Sequence, residues 1–252
     1  MNNMGLREVL KFDLYKIFHS TILKAWLYVS CIFCLLMPFV NRVANSSTAG
    51  ILVTIYNERS YLQYAVLIFG LLLGSTDSYS GYIKNIYSKV NKLYYELSKI
   101  ICIALYSLCV YLLYFLLQIL FAVVFDGVGF IEPLDNIYKI FGVTDFLFNV
   151  FTNIVVLISV GAFAILITTV IKNRMIAVLV ALLYVFIFSE IFYEILDAIF
   201  TFGQGVTASD FFIVGLSSNV SEKCFFRDII VSFGWLLFSF ITSYIVFKKR
   251  SV

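Results

Sequence analysis

Charge is what this chain lacks first. Only 13% of its 252 residues are Asp, Glu, Lys or Arg, about half the share of a soluble domain. A water-soluble core needs a charged surface around it, so the deficit excludes an ordinary soluble fold. Histidine is nearly absent: His19 stands alone, and one imidazole with no Cys or acidic cluster nearby is a poor metal site. No metal site is expected. There is no GxxxxGK[ST] phosphate loop, no HExxH and no GxSxG. Without the backbone donors and lysine of a phosphate loop the chain is not expected to hydrolyse ATP, and no enzymatic chemistry is expected of it. Proline occurs twice, and only Pro38 falls in an apolar run. Midplane charges and broken helices are common in secondary transporters, and both are scarce here. The basic residues form no long tract, so nucleic acid is not an expected partner. Of five cysteines, Cys31, Cys34, Cys102 and Cys109 lie in apolar runs, where cysteine behaves as a small hydrophobe. Cys224 has no evident partner.

What the chain has is apolar length. Hydrophobic residues make up 62%, with 17 Tyr and 27 Phe, and the mean hydropathy is +0.98. Disordered chains are poor in such residues. A membrane span needs about 20 mostly apolar residues. Six runs qualify or nearly so: residues 22–43, 60–75, 97–125, 146–171, 175–200 and 229–247. The second is short. The runs are continuous, whereas barrel strands alternate, so the expected fold is all-α: one transmembrane domain, 1–252, of six helices. The first run is too long for the core of a secretory signal.

Lys and Arg set the orientation. With the N-terminus inside, Arg7, Lys11, Lys16, Lys24, Lys84, Lys89, Lys92, Lys99, Lys172, Arg174, Lys248, Lys249 and Arg250 are all cytoplasmic. Arg42, Arg59, Lys139, Lys223 and Arg227 are outside. Both termini are therefore expected in the cytoplasm, and 201–228 forms an extracellular segment before the last span.

Four places draw attention. In the N-terminal stretch, residues 1–20, Leu6, Val9, Leu10, Leu14, Ile17 and Phe18 share one helical face; such a helix is expected to lie in the headgroup plane, as an elbow bracing the first span or as a plain lipid anchor. The cytoplasmic segment 77–96 follows the second span. Gly81 permits a turn, after which Ile83, Ile86, Tyr87 and Val90 fall on one face while Lys84 and Lys89 look elsewhere; Asn91 suits the N-cap of the third span. The alternative is an ordinary positive-inside loop. On the fifth span Glu190, Glu194 and Asp197 line one face, as an acidic rim at an exit or as a helix end reaching the headgroups. In the second, Gly70 and Gly74 form a GxxxG that lets helices approach closely, for packing inside the chain or for a dimer seam.

The segment between the second and third runs resembles that of ABC-2 type transporter permeases. Asp77, Gly81, Ile83-Lys84-Asn85 and Ser98-Lys99 stand where that family has an acidic residue, a Gly, an Ile-Lys-Asn-like helix and a Ser-Lys; Tyr82 stands where Thr is common. Lys11-Phe12-Asp13-Leu14-Tyr15-Lys16 resembles the family's opening. The likeness covers the whole chain as layout and about 40 residues as motif. It implies a multi-pass permease of the cell membrane, of the compact kind found in Gram-positive peptide exporters or antimicrobial-peptide immunity systems. It would pair with a second copy or a paralogue, and would dock its coupling helix, Ile83 to Val90 within the coupling segment 77–96, into a separate ATPase that binds ATP and Mg. No cofactor is expected in this chain. The rival expectations are a non-transporting immunity or assembly subunit, and a channel or secondary transporter.

Overall fold

The computed structural model describes residues 5–44, 60–79, 91–126, 131–171, 173–184, 195–202, 206–207, 211–212 and 225–250. The described residues are helical almost throughout. Helix α1 spans Leu6–His19, α2 Thr21–Ala44, α3 Ser60–Tyr79, α4 Lys92–Asp126, α5 Ile131–Val170, α6 Arg174–Leu183 and α7 Phe225–Arg250. Before α7, residues 195–199 are helical, and β1 (Thr201–Phe202) pairs antiparallel with β2 (Val206–Thr207).

Among the described residues four helices are long and apolar enough to cross a membrane, over Thr21–Val40, Lys92–Phe121, Leu147–Val170 and Phe226–Lys249. The expected second span is α3, a 20-residue helix whose described apolar stretch, Leu62–Thr76, is shorter. The expected fifth span opens as α6, and residues 185–194 at its centre lie outside the described residues.

Local chemistry sets the helix ends, and they differ from the ends of the apolar runs. Helix α5 begins at Ile131, well before residue 146. Pro133 falls in its first turn, where a missing N–H costs nothing, and no second proline follows to stop it. Helix α3 continues past Gly74 because Ser75 and Thr76 donate to the Leu72 and Leu73 carbonyls at 3.1 and 2.9 Å, which absorbs both hydroxyls within the helix. Helix α4 starts where Asn91 Oδ1 accepts the Leu93 N–H at 3.1 Å. Asn173 does the same for α6, accepting from Met175 and Ile176.

Helix α1 packs against its helical neighbours. Its capping box joins the Gly5 N–H to the Glu8 carboxylate at 3.2 Å. Val9 and Ile17 are buried, Leu10 and Leu14 are partly buried against the core, and the helix lies along α4. Its apolar stripe thus rests on protein, because α4 presents a matching apolar flank. Phe18, expected on that stripe, is 60% exposed.

Helices α3 and α5 pack in parallel, with Gly70 against Gly161 and Ala164 and Gly74 against Thr168. Helix α4 runs antiparallel to α5, since Ile103 meets Gly161 and Tyr111 meets Asn153. Helix α7 lies along α5, burying Ser232, Ser239 and Ser243. The distribution of polarity is inverted relative to a soluble protein. Gln63, Ser107, Gln118, Asn149 and Asn153 are buried, while Tyr28, Leu116, Val124 and Ile230 are exposed. In water this would leave a large apolar area unburied. In hydrocarbon it is the favourable order, so the fold is compatible with a membrane-embedded bundle.

Candidate functional site

The first polar centre lies where α1, the start of α4 and the end of α7 meet. Asp13 sits on α1 midway between Val9 and Ile17, at four-residue steps, so it shares their buried strip. It is 1% exposed. Ser98 of α4 donates to its Oδ2 at 2.6 Å, a short charge-assisted bond. Glu96 and Lys99 flank Ser98 and are also buried. The Lys99 ammonium stands 4.1 Å from the Tyr95 ring centroid, within cation–π range. Tyr95 stacks in turn on Phe247 of α7 at 4.9 Å, and Val9 closes the same cluster. A buried charge is retained only when hydrogen-bonded or paired, so this junction holds three helices in one register.

The second centre is a layer of amides between α4 and α5. Asn153 Nδ2 donates to the Tyr111 hydroxyl at 3.3 Å and to Asn149 Oδ1. Tyr111, Tyr114 and Gln118 follow at steps of three and four, so they share a face of α4; Tyr111 turns that face toward α5. Gln118 is wholly buried, and neither its Oε1 nor its Nε2 finds a hydrogen-bond partner. Asn149 Nδ2, Asn153 Oδ1 and, on α3, Gln63 Nε2 are buried without partners as well. Gly70 abuts Gly161 on the parallel α5, which puts Gln63, one residue-heptad earlier, beside the level of Asn153. Leaving one such group unpaired costs roughly 1–3 kcal/mol.

Between α2 and α3 opens an apolar cleft of about 240 Å³ lined by Trp26, Val29, Ser30, Phe33, Tyr64, Ala65 and Ile68. Polar pairs close its floor. The Trp26 indole donates to the Ala65 carbonyl at 3.1 Å. Ser30 donates to the Trp26 carbonyl at 2.8 Å, which leaves the Tyr106 hydroxyl to donate to Ser30.

The residues singled out in the sequence fall in different places. Gly70 and Gly74 lie in the α3–α5 seam. Asp77 is in the last turn of α3. Gly81, Ile83, Lys84, Ile86, Tyr87, Lys89 and Val90 lie outside the described residues, as do Glu190 and Glu194. Asp197 lies in the helical stretch 195–199 and is half-buried. Among the described residues no three His, Cys, Asp or Glu side chains gather as metal ligands would.

Composition and periodicity treat Asp13, Glu96 and Lys99 as ordinary charges near a helix end, Asp13 and Lys99 entering only through the family resemblance, and they give the amides no role. A signal was there: Gln118 is the lone amide in the run 97–125, and Asn149 and Asn153 repeat at one helical turn in the next. Polar side chains inside apolar spans are costly and mark interior faces. No protein-family model matches the chain, and no curated protein matches it.

Proposed function

We propose that the chain is the membrane-spanning permease subunit of an ATP-driven exporter of the ABC-2 type. In this reading it crosses the cell membrane six times with both termini in the cytoplasm. It pairs with a second permease and borrows ATP and Mg from a separate ATPase. The observation that carries the reading is the Asp13–Ser98 bond. Two of the stretches that enter the resemblance, Lys11–Lys16 and Ser98-Lys99, are far apart in sequence and meet in space as one buried junction. That junction lies just after the segment 77–90, where a coupling helix would receive the ATPase's motion. The Asn91 cap joins that segment directly to α4, and α1 and the end of α7 are clamped to the same turn. Motion at Ile83 to Val90 would therefore move the three helices together.

The substrate fitting this bundle is amphipathic, a peptide or a lipid-like drug. The Trp26–Tyr64 cleft offers aromatic and aliphatic walls that adapt to many apolar groups, and Glu190, Glu194 and Asp197 would attract a cationic end near the exit. The test is retention of an ATPase by the detergent-solubilised chain, wild type against the Ile86→Asp/Tyr87→Asp variant, followed by ATP-dependent substrate movement in vesicles. Wild type should retain an ATPase that the variant loses. If neither form retains one, the exporter reading fails. An ATPase retained without any movement of substrate would favour an immunity or assembly subunit.

A further inference from the structure

Part of the amide layer is bonded within the bundle, through Asn153 to Tyr111 and Asn149, and part of it is not. Gln118, buried with both amide atoms unpartnered, is the strongest instance. We infer that this layer is a binding site, closed in the structure, for the backbone amide groups of a peptide segment. The inference rests on the permease reading and adds to it a substrate class and a location.

The chemistry of the free groups selects the ligand. The unpartnered atoms are two acceptors, Gln118 Oε1 and Asn153 Oδ1, and three amide nitrogens, on Gln118, Asn149 and Gln63. Donors and acceptors are thus nearly balanced. A cation would leave the nitrogens unmatched, and an anion would leave the oxygens unmatched. Neither residues 101–125 nor residues 146–170 contain a single Asp, Glu, Lys or Arg, so the flanking spans offer no charge to an ion. A peptide group presents the complementary N–H and C=O together, and in hydrocarbon each of those must find a partner. Side-chain amides from three helices supply them. Asn149 lies a turn beyond Asn153 on α5, between the levels of Tyr114 and Gln118 on antiparallel α4, so the groups are strung along the helix axis. That spacing suits an extended strand better than one small molecule.

The experiment uses the purified chain in lipid nanodiscs, without an ATPase. The probes are an N-acetylated, C-amidated alanine–leucine decapeptide carrying a central benzophenone, and its counterpart methylated at every backbone nitrogen. After photolysis, crosslinks are mapped by mass spectrometry. The unmethylated peptide should crosslink to α4 and α5 saturably, and the methylated one should need about tenfold more for the same yield, the scale of one hydrogen bond. Gln118→Leu should weaken labelling by about tenfold while raising the melting temperature, since it removes a buried amide with no partner. Asn153→Leu should weaken labelling by about tenfold but lower the melting temperature, since its Nδ2 donates to Tyr111 and to Asn149. Equal saturation by both peptides on wild type overturns the inference without recourse to any variant, and leaves the layer holding internal water only. A Gln118→Leu variant that melts lower than wild type also overturns it, because that amide would then be structural. Since no ATPase is present, these outcomes are independent of whether the chain couples to one.

Discussion

Gly70→Ala tests the α3–α5 seam most directly. A Cβ at position 70 would stand 2.8 Å from the Ala164 Cβ, 2.8 Å from the Gly161 carbonyl oxygen and 3.4 Å from the Gly161 Cα. Carbon contacts are comfortable at about 3.5–4.0 Å. None of those neighbours is a side-chain tip that can rotate away, so the two helices must part by roughly 1 Å. Overpacking of this kind costs about 1–3 kcal/mol. At about 2–4 °C per kcal/mol for a chain of this size, the variant should melt about 2–12 °C below wild type. Gly234→Ala is the internal control: it lies in α7, and nothing stands within 4 Å of a Cβ there. That change should be neutral or stabilising by about 0.5–1 kcal/mol, because alanine favours a helix interior. The assay is loss of the monodisperse chromatographic peak on heating in detergent, with both variants in one series. If Gly70→Ala melts together with Gly234→Ala, the close approach is not a feature of the folded chain. If it instead lowers the eluting mass without lowering the melting point, the GxxxG is a seam between two chains.

Three further outcomes follow from named contacts. Ser98→Ala removes the donor to a buried carboxylate and should destabilise by about 1.5–3 kcal/mol; combined with Asp13→Ala the losses should be far from additive, and additivity in melting data would show that the two side chains do not interact. Trp235 donates to the Phe211 carbonyl at 2.9 Å, so Trp235→Phe should cost about 1 kcal/mol and speed proteolysis near residue 211; unchanged cleavage would count against that anchor. Cys31 and Cys109 are exposed on apolar helix faces, and thiols react as thiolates, which hydrocarbon does not support. An impermeant maleimide applied to intact cells should therefore label neither of these two; in the proposed orientation it labels Cys224, each single Cys→Ser variant identifying its band. Labelling of Cys31 or Cys109 would place those faces in water.

Much of the architecture was legible because apolar length is a strong signal. The runs 22–43, 97–125, 146–171 and 229–247 each fall on one long helix to within a residue, and the single Pro38 does not end α2. Asn91 was readable as a cap, because an amide before an apolar run has few other uses. The start of α5 was not readable: residues 131–145 are polar enough to pass for a loop, and their helicity depends on a proline placed where it does no harm. Nor was the partner of α1. An amphipathic stripe reads the same whether it meets headgroups or another helix, and only Asp13, a carboxylate in the middle of that stripe, hinted at a protein surface. The amides escaped because hydropathy averages over a window, and one Gln among apolar neighbours hardly moves the average.

Helix α4 connects the two polar centres, and its sequence makes the connection stiff. Ser98, at the charged junction, and Gln118, in the amide layer, are twenty positions apart, about 30 Å along the axis. Sharp kinks arise at Pro, at Gly or where the hydrogen-bond ladder is interrupted. Residues 92–126 contain neither Pro nor Gly, whereas α2 carries Pro38 and α5 carries Pro133, Gly142 and Gly161. In the proposed exporter a push at Asn91 would be absorbed neither by a hinge within α4 nor by slippage of α1, which Asp13 ties to it. It would reach Tyr111, Tyr114 and Gln118 as a displacement against α5. On α5 Gly161 lets α3 approach closely, and Asn153 meets Tyr111 of α4. A displaced α4 would therefore change the surroundings of Gln118, whose two amide atoms have no partner, and of the bonded Asn149–Asn153 pair.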